Sequence, residues 1–376
     1  MVQQDIRPLT ARPPWRQLYA IYRLIGTIIR LPCWMIASLI SRPPNWTFKQ
    51  AVLNSFFRDY VDRFSLAGVN ETTTLEPGKQ GVRFKVIDPT DFSQSYFKGP
   101  AVSTEVAPAK VGGTWYPAEP TSPTGPVFLW LHGGAFVMGN SRDEFAGFAG
   151  TTLVDHGGAE AVFCLEYRLS GYGKNPFPAA LQDVTTAYLY LTETLKIPST
   201  QITIGGDSAG GNLAIAFLRY LKEQDTQIPQ PSSATLASPW VSPLESLDPA
   251  CTYATEKNWS SDYLPLSFLQ WGAKTYQPTE GIDGTVAPYI TPAGNPLATD
   301  VPILVWYGER EIFAPRVLAW GEEMQKVPGN RVEIFREKDA VHDTIIIGNV
   351  LGWEESAKGV AAKIGEFIRT NKTSAV

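Results

Sequence analysis

Cysteine, histidine and methionine are all scarce in this 376-residue chain, with three, three and four residues respectively. Cys33, Cys164 and Cys251 are scattered, which excludes a disulfide framework and any CxxC metal site. His132, His156 and His342 confine imidazole chemistry to three positions. There is no basic excess: 32 Lys and Arg stand against 37 Asp and Glu, a net charge of −5. That balance argues against a nucleic-acid binder. No repeat of 20–50 residues is visible, so solenoids and propellers drop out. The apolar stretch Leu31 to Ser41 is only eleven residues, too short to span a bilayer. Apolar residues nonetheless make up 44% of the chain, enough for a large core and too many for a disordered chain.

Charge is unevenly spread. Residues 1–50 hold seven basic residues against Asp5 alone, a local charge of +6 that leaves −11 for the remainder. Arg16, Arg23 and Arg30 recur every seven residues and share one helical stripe. Leu18, Ile21, Tyr22, Ile25, Ile28 and Ile29 fall opposite, an amphipathic pattern. Pro32 is expected to end that helix, since an interior proline costs about 3 kcal/mol. The pattern suits a helix packed over the body as part of a cap, which is the favoured reading. The alternative is a membrane-interface anchor within residues 1–45. The segment is a poor secretory signal, with a long polar lead and no clear small-residue cleavage site. A cytoplasmic or peripherally membrane-associated protein is therefore favoured over a secreted one.

Beyond the Pro- and Gly-rich residues 104–126, short apolar runs alternate with helix-period segments. The runs are Val127–Leu131, Ala161–Tyr167, Ile202–Ile204, Ala234–Ala237 and Ile303–Tyr307. Continuous apolar runs suit strands buried on both faces of a parallel sheet. Helical periods over 143–155, 179–195, 210–224, 315–327 and 354–370 make these βαβ units of a doubly wound sheet. Residues 76–242 and 296–376 are expected to form this core. Residues 1–75 and 243–295 stand outside the rhythm and are expected to form a helical cap.

Gly206-Asp207-Ser208-Ala209-Gly210 follows a strand and opens a helix, the context of a nucleophile elbow. Its glycines permit a sharp turn that makes Ser208 stand proud, at a helix N-terminus that favours negative charge. His132-Gly133-Gly134-Ala135 closes the strand Val127–Leu131. Its backbone can approach a substrate closely, so Gly133, Gly134 and Ala135, with Ala209 after the serine, are candidate oxyanion-hole donors. His132 itself is expected to hold the loop rather than act as base, and His156 to be structural. His342 alone follows the serine and is the candidate base. Glu311, just past the strand Ile303–Tyr307, is the first choice for the acid, ahead of Glu309 and Asp339.

These motifs resemble the hormone-sensitive-lipase family of α/β-hydrolases. Besides the two glycine motifs, Tyr167-Arg168-Leu169, Phe177 to Asp183 (FPAALQD) and Ser238-Pro239-Trp240 are similar to that family's. The resemblance spans about residues 111–370. Leu31-Pro32, Arg42-Pro43-Pro44 and Trp46-Thr47 further resemble fungal members related to steryl acetyl hydrolases. It implies an α/β-hydrolase fold of mostly parallel, helix-flanked sheet with helical caps, and carboxylic ester hydrolysis without metal or cofactor. The family's acid aligns with Glu311. Three departures stand out: Ala135 replaces a glycine, Glu311 an aspartate, and Asp343 the glycine usual after the histidine.

The expected activity is hydrolysis of a short-chain acyl ester, such as an acetyl ester, of a bulky apolar alcohol through an acyl-enzyme on Ser208. Acyl transfer or lactone chemistry would use the same residues. A retired hydrolase serving as a receptor, as in the plant gibberellin receptors of this family, would lack the histidine that stands here at 342.

Overall fold

The computed structural model describes residues 7–68 and 73–371. Eight strands form one sheet: β1 (Phe84–Ile87), β2 (Val111–Tyr116), β3 (Val127–Leu131), β4 (Ala161–Glu166), β5 (Ile202–Asp207), β6 (Ser233–Ala237), β7 (Ile303–Gly308) and β8 (Val332–Glu337). Their spatial order is β1-β2-β4-β3-β5-β6-β7-β8. The β1–β2 and β2–β4 pairs are antiparallel and the rest parallel. Every residue of β3, β4 and β5 is buried, which explains their unbroken apolar character. β1, not expected from the sequence, carries no continuous apolar run, and only its ends Phe84 and Ile87 are fully covered.

Ten α-helices complete the fold: α1 (Trp15–Ser41), α2 (Phe48–Ala67), α3 (Gly147–Asp155), α4 (Ala179–Leu189), α5 (Ala209–Glu223), α6 (Leu266–Tyr276), α7 (Ala287–Ile290), α8 (Ala314–Gln325), α9 (Thr344–Leu351) and α10 (Glu354–Asn371). The helical period expected over 179–195 is α-helical only to Leu189, then widens into a π turn through Thr194. Register places the chemistry. Leu131 pairs with Gly206, Asp207 with Ala237, Ala237 with Trp306 and Gly308 with Glu337. The loops after β3, β5, β6, β7 and β8 therefore leave the sheet along one edge, where open α/β sheets hold their ligands.

The N-terminal segment corrects two expectations. First, α1 does not stop at Pro32 but runs 27 residues through it to Ser41. One proline removes one N–H and crowds one turn, while the Leu, Met, Ala and Ile around it continue the helix. Second, Arg23 and Arg30 turn toward α2, while Arg16 is exposed. Arg23 Nη2 lies 2.9 Å from Asp59 and 2.7 Å from Asp62 of α2, and Arg30 Nη2 lies 2.7 Å from Asp59. The Thr27 hydroxyl donates to the same Asp59. The stripe of Leu18, Ile21, Tyr22, Ile25, Ile28 and Ile29 faces outward, each residue more than half exposed. The carboxylate of Asp59, itself buried, needs a cation more than α2 needs another apolar neighbour.

α2 also meets the mid-chain insertion, where Ser267 Oγ donates to Asp62 Oδ1 at 2.5 Å. Arg58 donates to the carbonyls of Trp259 and Asp262, Asn54 Nδ2 donates to Ser261 O at 3.1 Å, and the Ser65 and Ser267 hydroxyls lie 2.9 Å apart.

Candidate active site

The turn from β5 into α5 is strained in the way a nucleophile elbow requires. Ser208 has φ 51° and ψ −114°, a conformation that L-residues rarely adopt. Around it the backbone is crowded to its limit. A methyl group on Gly210 would lie 1.9 Å from Leu131 O, and one on Gly206 2.6 Å from Gly210. Glycine is thus the only residue that lets α5 approach β3 so closely. Among the described residues, Ser208 Oγ takes part in no hydrogen bond. Contrary to the expectation of a proud serine, Ser208 is only 7% exposed.

The loop after β3 lies against the serine: a methyl on Gly133 would come within 3.1 Å of Ser208 Cβ. One expected donor is already engaged, because Gly133 N donates to Asp207 Oδ2 at 2.8 Å. The register that pairs Leu131 with Gly206 brings that carboxylate under the loop, so Gly133 is withdrawn from the oxyanion set. Asp207 also accepts from Trp130 Nε1 at 3.1 Å. The N–H groups of Gly134, Ala135 and Ala209 have no acceptor among the described residues. Ala135 takes up φ 50° without being glycine.

His132 is wholly buried, stacked on Tyr167 at 4.3 Å, with Nδ1 2.7 Å from Gly133 O. Burial pulls its pKa down to about 4, so it is a neutral strut rather than a base. His156 caps the C-terminus of α3 in an exposed position. The Tyr-Arg-Leu motif is likewise architectural: the Arg168 guanidinium pairs with buried Asp183 at 2.7 Å and reaches Ala107 O at 2.9 Å.

Glu311 and His342 come together. Glu311 Oε2 lies 3.3 Å from His342 Nδ1 and accepts from Ser238 Oγ at 2.6 Å and Gly308 N at 3.2 Å. The two weaker acid candidates lie elsewhere. Glu309 accepts from Asp339 N at 2.9 Å, and Asp339 pairs with Arg310 at 3.3 Å and with Asn45 at 2.9 Å. Phe313 meets the imidazole edge-on at 5.0 Å, and Tyr263 does so at 5.9 Å.

The sequence reading flagged Asp343 but not its position. Asp343 is left-handed (φ 51°, ψ 51°), which brings its Oδ2 to 2.8 Å from His342 Nε2. Neither Nε2 nor Asp343 Oδ1 has a hydrogen-bond partner among the described residues. Further buried acids crowd the region. Asp262 accepts from Ile312 N at 2.6 Å, and Glu337 from Thr344 Oγ1 at 2.6 Å. Burial pushes the carboxyls of Asp343 and Asp262 up to about 6 and that of Glu337 up to about 7. For His342, burial alone pulls the pKa down, but Asp343 and then Glu311 outweigh it and hold the imidazole well above its ordinary value.

The insertion closes over this edge. A methyl on Gly272 of α6 would lie 2.4 Å from Ala135 O. Phe136 stacks on Tyr276 at 3.6 Å with the rings almost parallel, and Phe177 N donates to Tyr276 O at 2.7 Å.

Comparison with known proteins agrees with this architecture. A family model described as alpha/beta hydrolase fold matches residues 128–346. An acetyl-hydrolase of Streptomyces hygroscopicus is 32% identical over 195 residues, covering 52% of this chain and 60% of the relative. An AB hydrolase superfamily protein of Schizosaccharomyces pombe is 27% identical over 234 residues, covering 58% and 64%. The chain thus spans less than two thirds of the length of either relative. The crystal structure of EstE5 soaked with p-nitrophenyl butyrate is similar at a TM-score of 0.58 and 22% identity, over 92% of this chain and 98% of that one. That likeness is one of fold. The chain belongs to the α/β-hydrolase fold family.

Proposed function

We propose that the protein is a serine carboxylic ester hydrolase that cleaves a short-chain acyl ester of a bulky apolar alcohol. The observation that carries the reading is the strained, unbonded Ser208 at the start of α5, beside three free backbone N–H groups. In this reading Ser208 Oγ attacks the ester carbonyl while His342 Nε2 takes its proton. The tetrahedral oxyanion is held by the N–H groups of Gly134, Ala135 and Ala209. His342 then returns the proton to the leaving alcohol, leaving an acyl-serine that water hydrolyses by the same route. Glu311 orients the ring through Nδ1 and stabilises the imidazolium, and Ser238 and Gly308 N keep that carboxylate in place.

The short acyl group is supported by the acetyl-hydrolase relative. An apolar alcohol suits the aromatic surroundings of His342, namely Tyr263 and Phe313. Residues 1–75 and 243–295 serve as the cap. Ser208, Glu311 and His342 are all buried, which suits a site roofed by the segment carrying Tyr263 and α6.

The test is the intact mass of the protein after treatment with a fluorophosphonate, followed by hydrolysis of p-nitrophenyl esters of graded chain length. One adduct on Ser208 and a preference for short acyl chains are expected. Absence of an adduct together with absence of turnover would remove the hydrolase reading.

A further inference from the structure

The least ordinary surface of the molecule is the outward side of α1. From Trp15 to Ser41 the helix contains no acidic residue. Its mean hydropathy over an 18-residue window is 1.7, and only 11% of that window is buried. Ile21, Ile25, Ile28, Ile29, Ile36 and Leu39 are each 53–67% exposed. Soluble proteins rarely leave so long an apolar face uncovered. The polar residues of the helix are already committed on the other side, where Arg23, Thr27 and Arg30 converge on Asp59.

We infer that α1 docks the protein on a lipid bilayer, lying flat in the interface with its isoleucine face in the acyl region and its arginine face on α2. A helix of 27 residues is about 40 Å long, long enough to cross hydrocarbon of about 30 Å. Crossing would nevertheless pull Arg23 and Arg30 away from Asp59, leaving a buried carboxylate unpaired and two arginines in hydrocarbon. Lying flat keeps every ion pair. A protein partner normally meets a polar, hydrogen-bonding rim. This face offers none between Leu18 and Ile40 apart from Tyr22, whereas a bilayer requires none. Trp15, half exposed at one end, suits the headgroup level.

Orientation gives the arrangement a second consequence. α2, which packs against α1, also holds the segment Trp259–Asp262, and the next residue, Tyr263, touches His342. A bilayer under α1 is then one helix away from the segment that covers the site. The inference itself stands on α1 alone and does not depend on the ester-hydrolase reading.

Because Arg23 and Arg30 are paired with Asp59 and Asp62, adhesion comes chiefly from apolar area rather than charge. That separates this mode from a basic anchor, which needs anionic lipid and is screened by salt. The experiment is density-gradient flotation of the full chain with vesicles of pure phosphatidylcholine, at low and high salt, beside Ile25→Asp/Ile29→Asp. The full chain should float equally at both salt levels. The variant should partition at least about tenfold less with unchanged circular dichroism, since both positions are exposed. A variant that loses its dichroism is replaced by Ile25→Ser/Ile29→Ser, read in the same way. Flotation only with anionic vesicles and lost in salt would overturn the inference, as would a soluble dimer in sedimentation that ignores vesicles. So would an N-terminal tag protected from protease inside sealed vesicles, which marks a span.

Discussion

The two halves of the candidate site are built on opposite principles. Around β3 and β5, the serine and the N–H groups of Gly134, Ala135 and Ala209 are left without partners, and the strain sits in the backbone at Ser208 and Ala135. Around β7 and β8, one imidazole has a carboxylate at each nitrogen, 3.3 Å away at Nδ1 and 2.8 Å away at Nε2. Asp262 and Glu337 lie buried in the same half. The nucleophile half is prepared by leaving groups unsatisfied, and the base half by surrounding one cation with acids. The first favours charge that arrives only with the substrate. The second favours the imidazolium, because Asp343 and then Glu311 raise the His342 pKa against the pull of burial.

Substitutions can break this contrast at either side. Ser208→Ala should abolish turnover and fluorophosphonate labelling, and His342→Ala should lower kcat by about 10⁴–10⁶, because such residues act as a unit. Near wild-type kcat in the histidine variant would sink the assignment. Glu311→Gln keeps size but not charge, so a loss of about 10²–10⁴ in kcat is expected. Glu309→Gln should be mild, and the reverse ranking would move the acid role. Gly272→Ala tests the open half through the lid: its methyl would have to displace Ala135 O, so a loss of about tenfold to a hundredfold in kcat is expected from a misplaced donor. An unchanged kcat would mean that α6 yields instead. Asp343→Asn removes the first of the charges that raise the His342 pKa. In the proposed mechanism the neutral ring is the base, so the acidic limb of kcat/KM should lie above the ordinary histidine range in the native protein and move to lower pH in the variant. An unmoved limb would show that Asp343 does not control that proton.

Much of this was legible locally. Five of the eight strands were readable because β3 to β7 are covered on both faces, which forces continuous apolar runs ending in the loop residues. The elbow was readable because Gly206 and Gly210 can serve only a tight strand-to-helix turn. What stayed hidden depends on partners distant in sequence or on single dihedrals. The inward face of α1 is set by Asp59, which an amphipathic period cannot name. Withdrawal of Gly133 depends on the β3–β5 register. The reach of Asp343 to Nε2 depends on a left-handed backbone at one non-glycine residue. Asp262 belongs to the irregular stretch of the insertion before α6, where no period marks which side chain turns inward.

The crowd of acids near His342 also couples folding to protons. In the unfolded chain Asp343, Asp262 and Glu337 titrate near ordinary carboxylate values, whereas in the folded protein they hold protons up to about 6, 6 and 7. Asp207 and His342 are shifted upward as well, by burial reinforced by Asp343 in the first and by the flanking carboxylates in the second. A raised folded pKa contributes stability that is complete below the unfolded value and is lost as pH rises through the folded one. Between about pH 5 and 7 the native state therefore binds more protons than the unfolded chain, and its melting temperature should fall as pH rises. Melting curves across that interval would test this, and a rising Tm would contradict it. Stability and the deprotonated base then lie on opposite sides of neutrality: the alkaline conditions that free His342 are those in which the fold holds least firmly.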